Sequence, residues 1–305
     1  MHLTFRPITG PDELDLFRRL TYVLDDEVAD DLAAGRRRPG WMWIAQDAGD
    51  GGRVVARAAW WSRAGSPDPY LMDFFDFVGG HADVGEQLVR AALAEILPAG
   101  ATPPEYIRFV PPDWRDDPAP VRERMAALER LGARLLVERL RLEWRPGTPI
   151  PADPGRLRFR EFGGNAEALD LMTEALEGTL DAHSRTDLAR RPAREVAAEH
   201  FHGELERWPS PREWWRVATL PDGDPVGFVF PARNDYGPII AYIGVLPRHR
   251  GHGYIDDVLA EGTRVLARHD IPRIRATTDV GNVPMARAFA RAGYVNHQNQ
   301  IDMAW

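Results

Sequence analysis

The chain contains an internal repeat, and this repeat constrains its fold more than any other feature. Residues 127–144 (ALERLGARLLVERLRLEW) align without gaps on residues 288–305 (AFARAGYVNHQNQIDMAW). The alignment superposes Arg130 on Arg291, Gly132 on Gly293 and Trp144 on Trp305. Residues 3–17 resemble residues 157–172, so the two matches follow the same order in both halves. Two ordered matches predict a duplicated domain.

A segment rich in proline and glycine separates the two halves. Residues 145–155 (RPGTPIPADPG) hold four prolines and two glycines, which can continue neither a helix nor a strand. We therefore predict two domains in the 305-residue chain, residues 1–148 and residues 149–305.

The composition excludes several classes of protein. The formal net charge of −8 argues against a nucleic-acid-binding surface. The chain has no cysteine, so disulfides, thiolate zinc sites and a cysteine nucleophile are excluded. The histidines have no acid or third ligand at metal spacing, so we expect no metal. The first residues lack a signal region and no apolar run reaches membrane-spanning length, so we expect a soluble, cytoplasmic protein.

Each half has the same order of predicted elements: a strand, one or two helices, a hairpin, a strand leading to a helix, and closing strands. The turn PDGD within residues 214–232 predicts the hairpin of the second half. Residues 255–266 place their apolar side chains on one helical face, and residues 273–277 (RIRAT) predict a strand. Asn282 suits the cap of the next helix and Gly293 its end. This alternation predicts an α/β (α+β) fold with a mixed, partly parallel central sheet flanked by helices in each half.

The stretch GVLPRHRGHGY, residues 244–254, joins an apolar strand to an amphipathic helix. Its glycines let the backbone approach an anion, and the helix adds unpaired N–H groups and the positive end of its dipole. Arg248 and Arg250 add guanidinium groups suited to phosphate oxygens. These features predict a pyrophosphate site, and the alternative is an exposed turn with solvated arginines.

The same stretch resembles the acetyl-CoA loop of the GNAT superfamily of acyltransferases, whose signature is Gln/Arg-x-x-Gly-x-Gly/Ala. Arg250 takes the first position and Gly253 the fourth, whereas Ile255 stands where the family has glycine or alanine. Residues 277–294 resemble the segment that closes the family's cofactor cleft, with Asn282 near the cofactor arm. The resemblance implies two tandem GNAT-like domains and acetyl-CoA as the cosubstrate. The implied cofactor-binding residues are Ile243, Gly244, Val245, Arg250, Gly251, His252, Gly253, Tyr254, Ile255 and Asn282.

The first half departs from this pattern. Its corresponding segment, residues 73–93, has no arginine between the strand and the helix. It presents Asp73, Asp76 and Asp83 instead, whose charges we expect to repel a pyrophosphate. We therefore interpret residues 1–148 as a degenerate GNAT-like domain and expect one cofactor per chain.

The resemblance also indicates where an acceptor binds. GNAT proteins usually place acceptor contacts between their first two helices, where residues 175–191 fall. Glu177, Asp181 and His183 would give an amine polar contacts there, and the alternative is a solvated loop between helices.

The catalytic groups depart from the family pattern as well. GNAT proteins often supply the general acid from a tyrosine seven residues after the asparagine, a position that Phe289 occupies here. Tyr242 or Tyr254 is the candidate acid in its place, unless solvent protonates the thiolate. Asp279, at the end of a strand beside the expected cleft, is the candidate base, and its alternative role is that of a cap or turn residue.

We therefore expect an acetyl-CoA-dependent N-acetyltransferase that acts on an amine of a small molecule or peptide. As the resemblance implies, the transfer is direct and takes place in a ternary complex. The alternative is a catalytically silent acyl-CoA-binding or sensor protein of the same fold. The sequence leaves open the acceptor, the acyl chain and the oligomeric state.

Overall fold

The structure, a computed structural model, describes residues 2–305, and their contacts form two compact units. The first unit holds the chain up to Val137 together with Gln300–Trp305, and the second holds Glu138–Asn299. These limits differ from the predicted boundary between residues 148 and 149. Each half of the sequence contributes part or most of its last strand to the other unit.

Twelve strands and nine α-helices are present in the described residues. The strands are β1 (Leu3–Pro7), β2 (Met42–Asp47), β3 (Arg53–Trp61), β4 (Leu71–Phe77), β5 (Glu105–Val110), β6 (Arg134–Trp144), β7 (Arg158–Arg160), β8 (Arg216–Thr219), β9 (Pro225–Asn234), β10 (Gly237–Val245), β11 (Ile274–Asp279) and β12 (Val295–Ala304). The helices are α1 (Leu14–Phe17), α2 (Val28–Ala33), α3 (Ala82–Ile96), α4 (Ala119–Arg130), α5 (Asn165–Ala175), α6 (Ala182–Leu188), α7 (Ala193–Gly203), α8 (Tyr254–Ala267) and α9 (Val283–Arg291). Within residues 2–305, none of these helices is long and apolar enough to cross a membrane.

In the first unit, β1 to β5 lie side by side in chain order. Neighbours from β1 to β4 are antiparallel, and β5 is parallel to β4. Because successive side chains of a strand point to opposite faces, Phe74 packs with Phe17 of α1, and Phe75 packs with Leu88 of α3. Met303, near the end of the chain, is fully buried in the core that contains Phe75.

In the second unit, the strand order is β6, β11, β10, β9, β8 and β7, with β10 and β11 parallel and the other neighbours antiparallel. Phe228 of β9 packs with Phe201 of α7 on one face of this sheet. Val229, the next residue, packs with Leu259 of α8 on the other face. A mixed, partly parallel sheet flanked by helices is therefore present in each unit, which confirms the predicted fold class.

Local signals place the elements around the predicted site as expected. The hairpin forms between β8 and β9, where Leu220 donates a backbone hydrogen bond of 2.9 Å to Asp224. The apolar face of α8 is buried along its length, as the helical spacing predicts. Asn282 caps α9, and Gly293 follows its end with φ of 81°.

Candidate active site

The two parallel strands of the second unit separate at the end of the sheet where the site is predicted. Within the described residues, their register is confined to Ile239 of β10 opposite Arg275 of β11, although both strands continue beyond this pair. On its other edge, β10 has an irregular register against β9 between Ile240 and Tyr242. An extra residue of this kind bends a strand and re-aims its side chains. In the part of the chain that the structure describes, β10 and β11 are therefore unpaired beyond Ile239 and Arg275, where the predicted cofactor-binding residues of β10 lie.

The loop after β10 presents a row of backbone N–H groups. Gly251 and Gly253 have φ of 81° and 73°, a left-handed conformation that only glycine adopts at little cost. Within residues 2–305, the N–H groups of residues 251–255 have no hydrogen-bond acceptor, and no side chain caps α8. A run of donors at the positive end of a 14-residue helix suits a pyrophosphate. We refer to residues 251–255 as the amide cradle.

Ile255 belongs to the cradle although it replaces the small residue of the family signature. Its side chain packs against the core formed by α8 and α9. The ring of Tyr254 stacks with that of His252 at a centroid distance of 5.7 Å. The side chains of Tyr254 and Ile255 thus attach the cradle to the core of the second unit.

Arg250 contacts different groups from those predicted. Its Nε donates to the carbonyl of Val245 (3.1 Å), its Nη1 to that of Glu177 (2.6 Å) and its Nη2 to that of Ala175 (2.8 Å). The last carbonyls of a helix lack helical partners and carry the negative end of the dipole, so the end of α5 attracts this cation. The guanidinium therefore ties the loop after β10 to the end of α5.

Arg248 is also engaged within the protein. It forms ion pairs with Glu174 and Asp224 and donates to the carbonyl of Pro225 at 3.1 Å. These contacts hold the Arg248 side chain against two carboxylates and a carbonyl of the protein.

Arg156 supports the cradle from behind, and sequence reasoning missed it. It forms an ion pair with Asp257 at 2.5 Å and donates to the carbonyls of His252 (3.1 Å) and Gly253 (2.9 Å). In a planar trans peptide the C=O and the following N–H point in opposite directions. Carbonyls held by Arg156 therefore leave the adjoining N–H groups directed away from it. Arg156 and Asp257 are 101 residues apart, so no local pattern signals this contact.

Gly227 of β9 is a second residue that the sequence did not single out. A Cβ at this position would lie against the carbonyl oxygen of Gly244, far inside van der Waals contact. Gly227 pairs with Val245, the last residue of β10. The absence of a side chain therefore lets β9 approach the end of the cofactor strand.

Asn282 and Phe289 both belong to residues 277–294, and the position of Phe289 explains why it can replace the tyrosine that the family often has. The side chain of Asn282 accepts a hydrogen bond from the N–H of Met285 at 3.4 Å. Phe289, at the position where the family often has a tyrosine, is 1% exposed and packs against Tyr294 in the core. An apolar ring suits this buried position.

Asp279 and Asp181 lie together at the start of α6. Asp279 is 3% exposed, its Oδ2 accepts the N–H of Ala182 at 2.7 Å, and its Oδ1 forms an ion pair with Arg139 at 3.0 Å. Burial raises the pKa of Asp279, and the charge of Asp181 adds to this effect. Asp181 caps α6 by accepting the N–H of Ser184 at 2.8 Å. Burial alone would raise the pKa of Asp181, but the Arg139 charge and this hydrogen bond together lower it.

Tyr242 faces the same region from β10. Its ring stacks on Phe228 at a centroid distance of 5.8 Å, and its hydroxyl has no hydrogen-bond partner among residues 2–305. Burial raises the pKa of Tyr242, and the nearby charge of Asp181 raises it further. The hydroxyl therefore stays protonated at neutral pH.

The structure thus brings several predicted site residues together. The charges of Asp181 and His183 both act on Asp279, and the charge of Asp181 acts on Tyr242. Glu177 is exposed in the loop between α5 and α6, where its carbonyl accepts the bond from Arg250. The loop between α5 and α6 and the loop after β10 are therefore linked through Arg250.

In the first unit, residues 73–93 correspond to the cofactor segment, and two of their aspartates are paired with arginines. Asp73 is paired with Arg37 at 2.5 Å, and both side chains are buried. Asp76 is buried and contacts three arginines: Arg57 (3.0 Å), Arg108 (2.9 Å) and Arg124 (3.2 Å). The charges of Asp73 and Asp76 are therefore compensated inside the unit and do not face a phosphate site. The two units also differ in the length of the corresponding loop. Residues 78–81 connect β4 to α3, whereas the longer segment 246–253 connects β10 to α8.

A sheet that divides between two parallel strands, with an amide cradle after one of them, is the arrangement of the GNAT fold. Residues 182–294 match the acetyltransferase (GNAT) family. This span runs from the start of α6 through the cradle to the residue before β12. The second unit therefore contains a region similar to the acetyltransferase (GNAT) family. None of the curated proteins matches the chain.

Solved structures have the same fold over the whole chain. A GCN5-related N-acetyltransferase from Sphaerobacter thermophilus is 17% identical, with a TM-score of 0.62 over 99% of this chain and 95% of that one. A tandem GNAT protein from the clavulanic acid biosynthesis pathway is 16% identical, with a TM-score of 0.53 over 100% and 98%. A GCN5-related glucosamine N-acetyltransferase region of a fungal multi-domain β-N-acetylglucosaminidase is 14% identical, with a TM-score of 0.55 over 99% and 38%. The chain is a protein of the tandem GNAT fold.

Proposed function

We propose that this protein transfers an acetyl group from acetyl-CoA to an amine of a small molecule or peptide. The observation that carries the proposal is the amide cradle, which lies at the N-terminus of α8 beside the diverging strands. A row of unpaired N–H groups favours an anion such as a pyrophosphate. The cradle falls within the residues that match the acetyltransferase family.

The backbone of the second unit holds the cosubstrate in this proposal. Residues 251–255 bind the pyrophosphate, and Ile243, Gly244 and Val245 bind the pantetheine arm at the end of β10. Asn282 lies near the same arm. Acetyl-CoA supplies the acetyl thioester, and backbone N–H groups of β10 polarise its carbonyl.

In this proposal Asp279 acts on the amine proton and Tyr242 on the leaving thiolate. Asp279 accepts the amine proton, directly or through one water, while the new N–C bond forms and the C–S bond breaks. A raised pKa makes Asp279 a stronger base than an ordinary aspartate. Tyr242, which stays protonated, donates a hydrogen bond to the leaving thiolate, which then takes a proton from solvent. Asp181, His183 and Glu177 contact the acceptor, and the acidic groups among them favour a cationic amine.

A second candidate function is acyl-CoA binding without catalysis. Phe289 favours it, because this position lies in the core and cannot donate a proton. The two functions share the cradle and differ in whether an amine is acetylated.

Calorimetry with acetyl-CoA on the full chain, beside a thioester-consumption screen over amines, tests the proposal. We expect one acetyl-CoA per chain and turnover with at least one amine. A stoichiometry of two would contradict the assignment of the first unit as degenerate. Binding of acetyl-CoA without consumption of thioester in the presence of any amine would support the silent binding protein, and no binding would overturn both functions.

A further inference from the structure

A single guanidinium lies between the two carboxylates at the start of α6. Arg139 of β6 stands opposite Asp279 in the antiparallel pairing of β6 with β11. Its Nε is 3.0 Å from Asp279 Oδ1, and its Nη2 is 3.7 Å from Asp181 Oδ2. Its side chain is 23% exposed, whereas that of Asp279 is 3% exposed. Arg139 belongs to the second unit although it lies in the first half of the sequence.

The two carboxylates are bound to one helix end. Asp279 accepts the N–H of Ala182, the first residue of α6, and Asp181 is the N-cap of the same helix. Without a cation between them, two like charges would repel one another across this short distance. The position of α6 against the end of β11 therefore depends on the charge that Arg139 supplies.

We propose that Arg139 is a positioning residue of the acceptor site, which holds Asp279 and Asp181 together so that Asp279 faces the acceptor amine in one place. This inference rests on the proposed function. In this proposal Arg139 acts through the two aspartates and does not itself contact the amine or the thioester. Its planar guanidinium can contact two carboxylates at once, whereas a lysine at this position would supply the charge without the fork.

The charges that face Asp279 come from two elements packed against it. Arg139 lies on β6, and Asp181 and His183 lie on α6. The Arg139 charge opposes the effect of burial on the pKa of Asp279 and lowers the pKa of Asp181. Removal of the guanidinium should therefore raise both pKa values.

The test uses the full chain labelled with 13C at the aspartate carboxyl carbon, and titrates Asp279 by NMR. Wild type, Arg139→Gln, Arg139→Lys and a control, Arg145→Gln, are compared, and the Asp279 signal is the one missing in Asp279→Asn. Arg145 follows β6 and pairs with Glu143, so its removal changes a nearby charge without touching the pair. We expect a higher pKa of Asp279 in Arg139→Gln, a smaller rise in Arg139→Lys, and no change in Arg145→Gln. Equal titration of Asp279 in wild type and Arg139→Gln would overturn the proposal.

Kinetics separates this inference from the proposed function. With an acceptor in hand, Arg139→Gln should lose about 10²-fold in kcat/KM at neutral pH, the scale of a misplaced reacting group, and its acidic limb should move to higher pH. Affinity for acetyl-CoA should stay at the wild-type value, and Arg139→Lys should recover part of the rate. If Arg139→Gln does not fold, the titration of Asp279 and the kinetics are both measured on Arg139→Lys. A wild-type chain that acetylates no amine contradicts the proposed function, whereas an active chain with unchanged pH dependence in the variants contradicts only the role of Arg139.

Discussion

At the scale of single residues, the site depends on backbone positions more than on charged side chains. Gly253 is left-handed, caps α8 and contributes an N–H to the amide cradle. Arg250 and Arg248, which the sequence indicates as phosphate ligands, bind carbonyls and carboxylates of the protein. Anion recognition is therefore expected to come from peptide dipoles, with the arginines holding the loop in shape.

Gly253→Ala should weaken acetyl-CoA binding beyond its effect on stability. A left-handed alanine costs about 1–2 kcal/mol, and relief of this strain would turn the N–H groups of the cradle away from the positions that suit a phosphate. Gly223→Ala is the matched control, because Gly223 has φ of 96° in the β8–β9 turn. We expect similar losses in thermal stability and at least a 10-fold loss of affinity, measured by calorimetry, in Gly253→Ala alone. Equal affinities of the two variants for acetyl-CoA would contradict the assignment of the cradle as the phosphate site.

Asp279→Asn should lower turnover by about 10²-fold or more while acetyl-CoA affinity stays unchanged. The amide oxygen of asparagine can still accept the N–H of Ala182, so α6 should keep its place. Because burial raises the pKa of Asp279, the acidic limb of kcat/KM in wild type should lie above the ordinary aspartate value of about 3.9. Asp235→Asn, at an exposed position between β9 and β10, is the control. Full turnover in Asp279→Asn would show that Asp279 is not the base and would favour its alternative role as a cap or turn residue.

At the scale of elements, the two units use the corresponding strand pair differently. In the second unit β10 and β11 diverge beside a loop of eight residues, 246–253. In the first unit the end of β4 is occupied by Asp76 and its three arginines, and Arg108 and Arg124 also donate to the carbonyl of Phe75. In the first unit, buried ion pairs thus occupy the end of β4, which corresponds to the proposed cofactor site at the end of β10 in the second unit.

Asp76→Asn should destabilise the first unit by about 3–5 kcal/mol, because it leaves three arginines without their shared carboxylate. The arginine charges lower the pKa of Asp76 against the effect of burial, so its stabilisation is complete above the unfolded value of about 3.9. It is lost as the pH falls through the lower folded value. Melting temperatures of wild type and variant should therefore differ most near neutral pH and converge below about pH 4. An equal difference at all pH values, or a change in acetyl-CoA affinity, would contradict this account.

At the scale of the whole molecule, the repeat in the sequence and the units in space do not coincide. The helix, glycine and strand of the repeat recur as α4, Gly132 and β6, and as α9, Gly293 and β12. Glu138–Trp144 of β6 lies in the second unit, and Gln300–Trp305 lies in the first. The stability of the first unit should therefore depend on the last residues of the chain.

Met303→Ala should cost about 2–5 kcal/mol, the usual range for a fully buried methionine. Faster hydrogen exchange should appear in β3 and β4 of the first unit. Val295→Ala on the same strand is the control, because Val295 is 67% exposed and should change stability by less than about 0.5 kcal/mol. Faster exchange confined to the second unit would contradict the assignment of residues 300–305.

The sequence alone determined the duplication, the order of elements, the fold class and the position of the cradle loop. These features depend on local signals: the period of apolar residues, glycines with left-handed backbone, and a capping asparagine. The sequence also pointed to Asp279, Asp181, His183 and Tyr242, although it could not show that they share one region.

Only the tertiary structure decided the partners of the arginines and the unit to which each closing strand belongs. Arg250 binds the end of α5, Arg156 the cradle, and Arg139 the two aspartates. A guanidinium is equally suited to a phosphate, a carboxylate or a carbonyl, so its partner depends on which group the fold brings within reach. The closing strands carry the same ambiguity, because a strand can pair with any sheet edge that its hydrophobic face fits. Contacts between residues far apart in the sequence settle both questions, and no local pattern encodes them.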